Sequence, residues 1–125
     1  MTYSFTFHIL PQPKERPRFA KRGNFVQTYT APKTKSFEHE IAVMARAQMA
    51  GRTILNGLLM VRVTFQFKRP KRTKLLTPKK DLDNLCKSVC DAANGVIYID
   101  DTQIVYLEAK KLWGDEDLIT MEVTQ

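Results

Sequence analysis

Five of the chain's thirteen acidic residues fall between Lys79 and Asp101, in KKDLDNLCKSVCDAANGVIYIDD, although the whole chain carries a net charge of +7. Carboxylates gathered inside a basic surface are the arrangement that lets a divalent cation meet a polyanion. Mg²⁺ and Mn²⁺ favour oxygen ligands and keep waters and substrate phosphates as the others. Asp81, Asp83, Asp100 and Asp101 are the candidate carboxylates, with Lys87 as a cation among them. Asp81 and Asp83, two apart on one helix, would point roughly 200° from each other and could not share a ligand. With Asp81 as the N-cap instead, its side chain turns back over the first turn and can converge with Asp83.

The elements that must position these groups follow from the spacing. The polar stripe runs Asp83, Lys87, Asp91, while Leu82, Leu85, Cys86, Val89 and Ala93 make the apolar stripe beside it. Gly95 suits the position after a helix, so the helix should end near Asn94. A short apolar run, Val96–Ile99, then leads to Asp100 and Asp101, and a return of that length can bring a third carboxylate back to the first two. Each feature also has an ordinary structural reading. An aspartate at a helix start caps amides, Asp83 and Lys87 can be an i,i+4 surface pair, and Asp100-Asp101-Thr102 can be a plain turn.

DLDN, a lysine four residues after the second Asp, Asp91, a glycine and a closing IDD-x-Q (Ile99 to Gln103) together resemble the RusA Holliday junction resolvases. The PxPKERPRF and YTAPKT segments resemble those of phage and prophage members. The resemblance covers essentially the whole chain. It implies that Asp81, Asp83 and Asp101 are the catalytic, metal-holding carboxylates, with Asp100 as an adjacent further ligand, and that Lys87 is the essential lysine. It also implies Mg²⁺ (or Mn²⁺) as the cofactor, branched DNA as the partner, a homodimer, and a place in DNA recombination and repair. A homodimer also suits a two-fold symmetric four-way junction, which needs two matched nicks.

With 125 residues and 43% hydrophobic content, one domain with a modest core is expected, and a pI near 9.6 points to a polyanionic partner. There is no apolar run of membrane-spanning length and no signal-peptide pattern, so a cytoplasmic, membrane-free protein without a small-molecule cofactor is expected. Cys86 and Cys90 lack further soft ligands and read as buried, reduced side chains. His39-Glu40 does not complete HExxH, because position 43 is Val.

In chain order, Tyr3–Leu10 alternates as a half-buried strand with His8 on its polar face. Pro11–Lys35 reads as a proline-rich basic loop with a turn at Gly23-Asn24; Lys14, Arg16, Arg18, Lys21 and Arg22 are its candidate DNA contacts. Phe19, Phe25 and Tyr29 are interleaved with these cations and would either stack on bases or tuck onto the core. Ser36–Met49 is an amphipathic helix that Thr34 or Ser36 could cap, with Glu38 and Glu40 in its first turn. Leu58–Phe67 is the clearest strand. Lys68–Lys80 reads as a mobile basic arm, with Arg69, Lys71, Arg72, Lys74, Lys79 and Lys80 guiding a phosphate backbone toward Asp81. Ile104–Trp113 and Leu118–Thr124 read as strands of a hairpin closed by Gly114–Asp117.

The expected architecture is therefore a small single-domain α+β fold over 1–125, a mixed sheet of about four strands with two helices. The expected activity is paired, metal-dependent phosphodiester hydrolysis on four-way junctions. The rivals are a non-catalytic DNA- or RNA-binding protein, a nuclease of flaps or forks, and a site shifted to Glu108-Ala109-Lys110 as an ExK triplet.

Overall fold

A computed structural model describes residues 1–125. The elements in order are β1 (Thr2–Phe7), β2 (Arg18–Arg22), β3 (Phe25–Tyr29), α1 (Pro32–Met49), β4 (Leu59–Lys68), α2 (Leu82–Ala93), a 3₁₀ turn (Asp101–Gln103), β5 (Ile104–Gly114) and β6 (Leu118–Thr124). The main sheet is mixed and has the order β1-β6-β4-β5, with β4 and β5 parallel and the other pairs antiparallel; β2 and β3 form a separate two-stranded ribbon. This is an α+β fold with two helices.

Strict alternation makes one face of the sheet apolar. The register aligns Phe5, Met121, Val63 and Ala109 in one row across the four strands, and Phe7, Ile119, Phe65 and Lys111 in the next. The first three members of each row are buried. Phe37, Ile41, Ala45 and Met49 of α1, with Leu85, Val89 and Ala93 of α2, complete a single core with them. Each row ends at β5 on a half-buried residue at the margin of the core. That is why one margin of the sheet is left open for a groove.

β5 and β6 do not form the expected hairpin. They flank β4, so Asp115–Asp117 carries the chain across its end. Backbone and side-chain hydrogen bonds fix that crossing: the Arg69 amide donates to the Gly114 carbonyl, the Lys68 amide to Asp117 Oδ1 and Gln66 Nε2 to the Glu116 carbonyl. A connection this short predicts pairing of its own two strands. β4 takes the central position instead, where its five buried side chains fill the middle of the apolar face.

Three further expectations change. The basic segment before α1 is not all loop: Gly23 has φ 61 and closes the two-residue turn of the β2–β3 ribbon. α1 starts at Pro32, which suits the first helical position, and Ala31 is the cap residue without a side-chain cap; Thr34 is buried and accepts from the Glu15 amide, and no acid lies in the first turn. Lys68–Lys80 is tethered rather than free. Trp113 Nε1 donates to the Leu75 carbonyl at 3.0 Å, Lys111 Nζ to the Lys80 carbonyl at 2.7 Å, and Pro78 is buried.

Candidate active site

α2 forms where the apolar stripe required it, with Leu85, Cys86, Val89 and Ala93 buried. Asp81 is its N-cap residue by position, yet its side chain makes no capping hydrogen bond. Its one polar contact is a long 3.5 Å approach from Asn84 Nδ2. Its carboxylate is therefore left largely free, as a ligand must be. Asp83 lies in the first turn and accepts from the Asn84 amide at 2.9 Å. Both residues are exposed.

Asp101 arrives by the tight return after α2. Gly95, at φ 76, turns the chain, and its amide donates to the Tyr98 carbonyl at 2.7 Å. Val96, Ile97 and Tyr98 are buried, and Tyr98 Oη donates to the Cys90 carbonyl at 2.7 Å, fastening the return to the helix. The Gln103 side chain sets the last step. It accepts from the Asp100 amide at 2.9 Å and donates to the Leu55 and Gly57 carbonyls at 3.1 and 2.9 Å. The closing glutamine of IDD-x-Q is thus the residue that pins the 3₁₀ turn bearing Asp101.

Asp81, Asp83, Lys87 and Asp101 line one groove of about 850 Å³ between α2 and β5. Leu82, Cys86, Val105, Leu107 and Ala109 provide its apolar walls, and Lys111 its second cation. Lys111 was missed at the level of sequence; the clue was its strand alternation with Leu107 and Ala109. Asp100 is not part of this lining. Its carboxylate caps the 3₁₀ turn by accepting from the Thr102 amide at 3.1 Å, and that bond holds its pKa below the usual carboxylate value. Glu108 and Lys110 lie on the opposite face of the sheet, where Glu108 pairs with Arg62 at 3.2 Å, so the ExK triplet does not reach the groove.

Asp91 is the second residue without an assigned role in the sequence. It is 18% exposed and takes Lys14 Nζ and Lys87 Nζ, each at 3.2 Å. Its charge also faces Asp101. Burial, then the neighbouring Asp91 carboxylate, push the Asp101 pKa up. Burial alone would raise Asp91 too, but its carboxyl neighbour and the bonds from Lys14 and Lys87 outweigh it and pull Asp91 down.

Lys14, expected among the phosphate contacts, spends its charge on Asp91 and Glu38, and its amide donates to the Asn84 carbonyl at 2.9 Å. Burial disfavours its charge, yet the two acids raise its pKa above the ordinary lysine value. Arg16, Arg18, Lys21, Arg22, Arg69, Lys71, Arg72, Lys74, Lys79 and Lys80 are all exposed.

The charged donors of the groove are the carboxylates of Asp81, Asp83 and Asp101, which suit Mg²⁺ or Mn²⁺; the Cys86 and Cys90 thiols also border it, but burial pushes both pKa values up and keeps them neutral. No three acidic, histidine or cysteine side chains converge into a complete cage. Mg²⁺ commonly binds through one or two carboxylates and fills its octahedron with water and substrate phosphate, so the residues present fit that ion. No helix is long and apolar enough to cross a membrane.

Residues 8–124 match the family model described as Endodeoxyribonuclease RusA. The chain is 30% identical over 135 residues to the uncharacterized protein YqaN of Bacillus subtilis (strain 168), covering 97% of this chain and 94% of that protein. It is 30% identical over 131 residues to the crossover junction endodeoxyribonuclease rusA of Lactococcus phage r1t, covering 100% of this chain and 99% of that protein.

Proposed function

The chain belongs to the RusA endodeoxyribonuclease family, and from that premise we propose that it resolves four-way DNA junctions, as a homodimer, by metal-dependent phosphodiester hydrolysis in recombination and repair. The observation that carries this reading is the shared groove. Asp81 and Asp83 from the start of α2, Asp101 from a separate turn, and Lys87 all line it. An acidic groove in a chain of net charge +7 is where a phosphodiester and a divalent cation can be held together.

One or two of Asp81, Asp83 and Asp101 would ligate Mg²⁺ or Mn²⁺ directly, with water and substrate phosphate as the other ligands and Asp100 kept to its cap. A bound ion supplies Lewis-acid activation of a water and charge neutralisation at the scissile phosphate. The side chains do the rest. Asp91 draws Lys87 toward the Asp101 side of the groove, where its ammonium meets the charge that grows on the phosphate in the transition state. Lys111 presents a second cation on the β5 wall. The exposed cations of Arg16–Arg22 and Arg69–Lys80 take the flanking backbone, an electrostatic contribution that weakens with salt.

The test is nicking of a synthetic four-way junction beside a linear duplex of matching sequence, with Mg²⁺ and with EDTA. Wild type gives paired symmetric nicks on the junction only with metal. Asp83→Asn gives none, yet binds the junction at least as tightly, because a negative charge near the DNA is gone. Cutting in excess EDTA would overturn the metal mechanism. Tight binding without nicks across metals and junction sequences would leave a binding protein, and preferred nicking of flaps or forks a different nuclease.

A further inference from the structure

The β2–β3 ribbon stands outside the core. It hydrogen-bonds to no other strand, and none of its residues belongs to the apolar cluster. An isolated two-stranded hairpin is marginally stable in water and gains from a surface to pack on. All five residues of β3 are exposed, and Phe25, Phe19 and Val26 are 76%, 71% and 68% exposed. Cross-strand neighbours share a face, so Arg22 lies beside Phe25, Arg18 beside Tyr29, and Lys21 beside Val26. Each pair sets a cation next to an apolar side chain. There is no acid between Arg16 and Phe37.

The base of the ribbon is fastened next to the groove. The Lys14 amide donates to the Asn84 carbonyl in α2, Lys14 Nζ pairs with Asp91, and the Glu15 amide donates to Thr34 Oγ1. Its tip is free. DNA bound in the groove would therefore pass the ribbon. A continuous duplex keeps its base faces stacked and offers a phenyl ring little to bury against, whereas a branch point has base steps that open at low cost. A second copy of the chain is a poor occupant, because a two-fold contact of this acid-free ribbon with itself would bring two sets of Arg18, Lys21 and Arg22 together with no acid between them.

We propose that the β2–β3 ribbon is the element that recognises the branch: Phe25 stacks on a base face opened at the crossover while Arg22 and Arg18, on the same face of the ribbon, hold the flanking phosphates. This rests on the junction reading above. It adds a residue for substrate selectivity, separate from the groove that cuts.

The experiment uses the full chain with a four-way junction and a matched duplex, each carrying 2-aminopurine at the base flanking the crossover or its duplex equivalent. Affinity is measured in EDTA and nicking with Mg²⁺. Phe25→Ala is expected to lose about tenfold in junction affinity, the scale of one base stack. It should change duplex affinity less than twofold and abolish the 2-aminopurine rise on the junction. Phe25→Tyr restores all three, and the thermal midpoint stays at the wild-type value because Phe25 is outside the core. Wild-type junction affinity in Phe25→Ala would overturn the proposal. So would an equal loss on both DNAs, or a change from dimer to monomer in sedimentation, which would make the ribbon an interface between copies. A wild-type protein that neither prefers nor nicks the junction would instead remove the junction reading, and the ribbon's role with it.

Discussion

Asp91→Asn tests the arrangement behind the groove. Asp91 accepts from two lysines at 3.2 Å each, and its side chain is 18% exposed. At that distance the gross attraction is about 5 kcal/mol per pair for an effective dielectric of about 20, most of it cancelled by desolvation. A hydrogen bond to a charged group is worth about 2 kcal/mol net. The Lys14 pair, with both side chains largely covered, should realise most of that value. The Lys87 pair, with the lysine 60% exposed, should contribute below about 1 kcal/mol. The variant should therefore lose about 2 kcal/mol in urea unfolding, and Lys14→Ala in the Asp91→Asn background should cost less than it does alone. Catalysis should fall further than stability implies, because Lys87 loses its anchor and Asp101 its carboxyl neighbour. The expected result is a kcat for junction nicking reduced about tenfold to a hundredfold with junction affinity within about threefold of wild type, the pattern of an interaction used in the transition state. Unchanged kcat in a folded Asp91→Asn protein would refute the positioning argument. Loss of binding alone would show that Asp91 acts only by fastening the Lys14 segment.

With Asp101 as a metal-holding carboxylate, its raised pKa should set the acid limb of the pH–rate profile: the ionised form is depleted as pH falls toward a value above the ordinary carboxylate range, and Asp91→Asn should move that limb to lower pH. An unmoved limb would count against the Asp91 charge as a cause of the raised value. Gln103→Ala removes three hydrogen bonds at the turn and should cost about 2 kcal/mol, with kcat falling while junction affinity holds. Gly95→Ala meets no atom within 4 Å, so only its φ of 76° is penalised, about 1–2 kcal/mol in a melting or urea experiment. Cys90, whose thiol burial pushes up to about 12 from 9.0, stays neutral in the fold. Its contribution is complete below the unfolded value and lost as pH rises through the folded one, so stability should decline above about pH 9 and less so in Cys90→Ala.

What depends on neighbours along the chain was legible before any fold was known. Period 3.6 in Leu82–Ala93 fixed α2, its stripe of Asp83, Lys87 and Asp91, and the placing of Asp81 at its start. Period 2 fixed β4, and Gly95 fixed the return toward Asp100 and Asp101. Those spacings carried the family resemblance, because the groups involved sit on one helix and the turn that follows it. Which residues meet across long separations came from the packing of the whole chain. β4 entered between β5 and β6, against the preference of a short loop, and its five buried side chains fill the middle of the sheet's apolar face. That placement left β5 at the edge, and carried Lys111 to the groove and Glu108 away from it. Two adjacent aspartates were set to different places: Asp100 took the Thr102 amide as a cap, and Asp101 lines the groove. Lys14 crossed 77 positions of sequence to reach Asp91, and the Phe25 ribbon stayed in solvent, where composition alone left a choice between core and DNA. Charge and period are local properties of the chain. Burial and pairing depend on the whole fold, and here they decided which carboxylates and lysines face the groove.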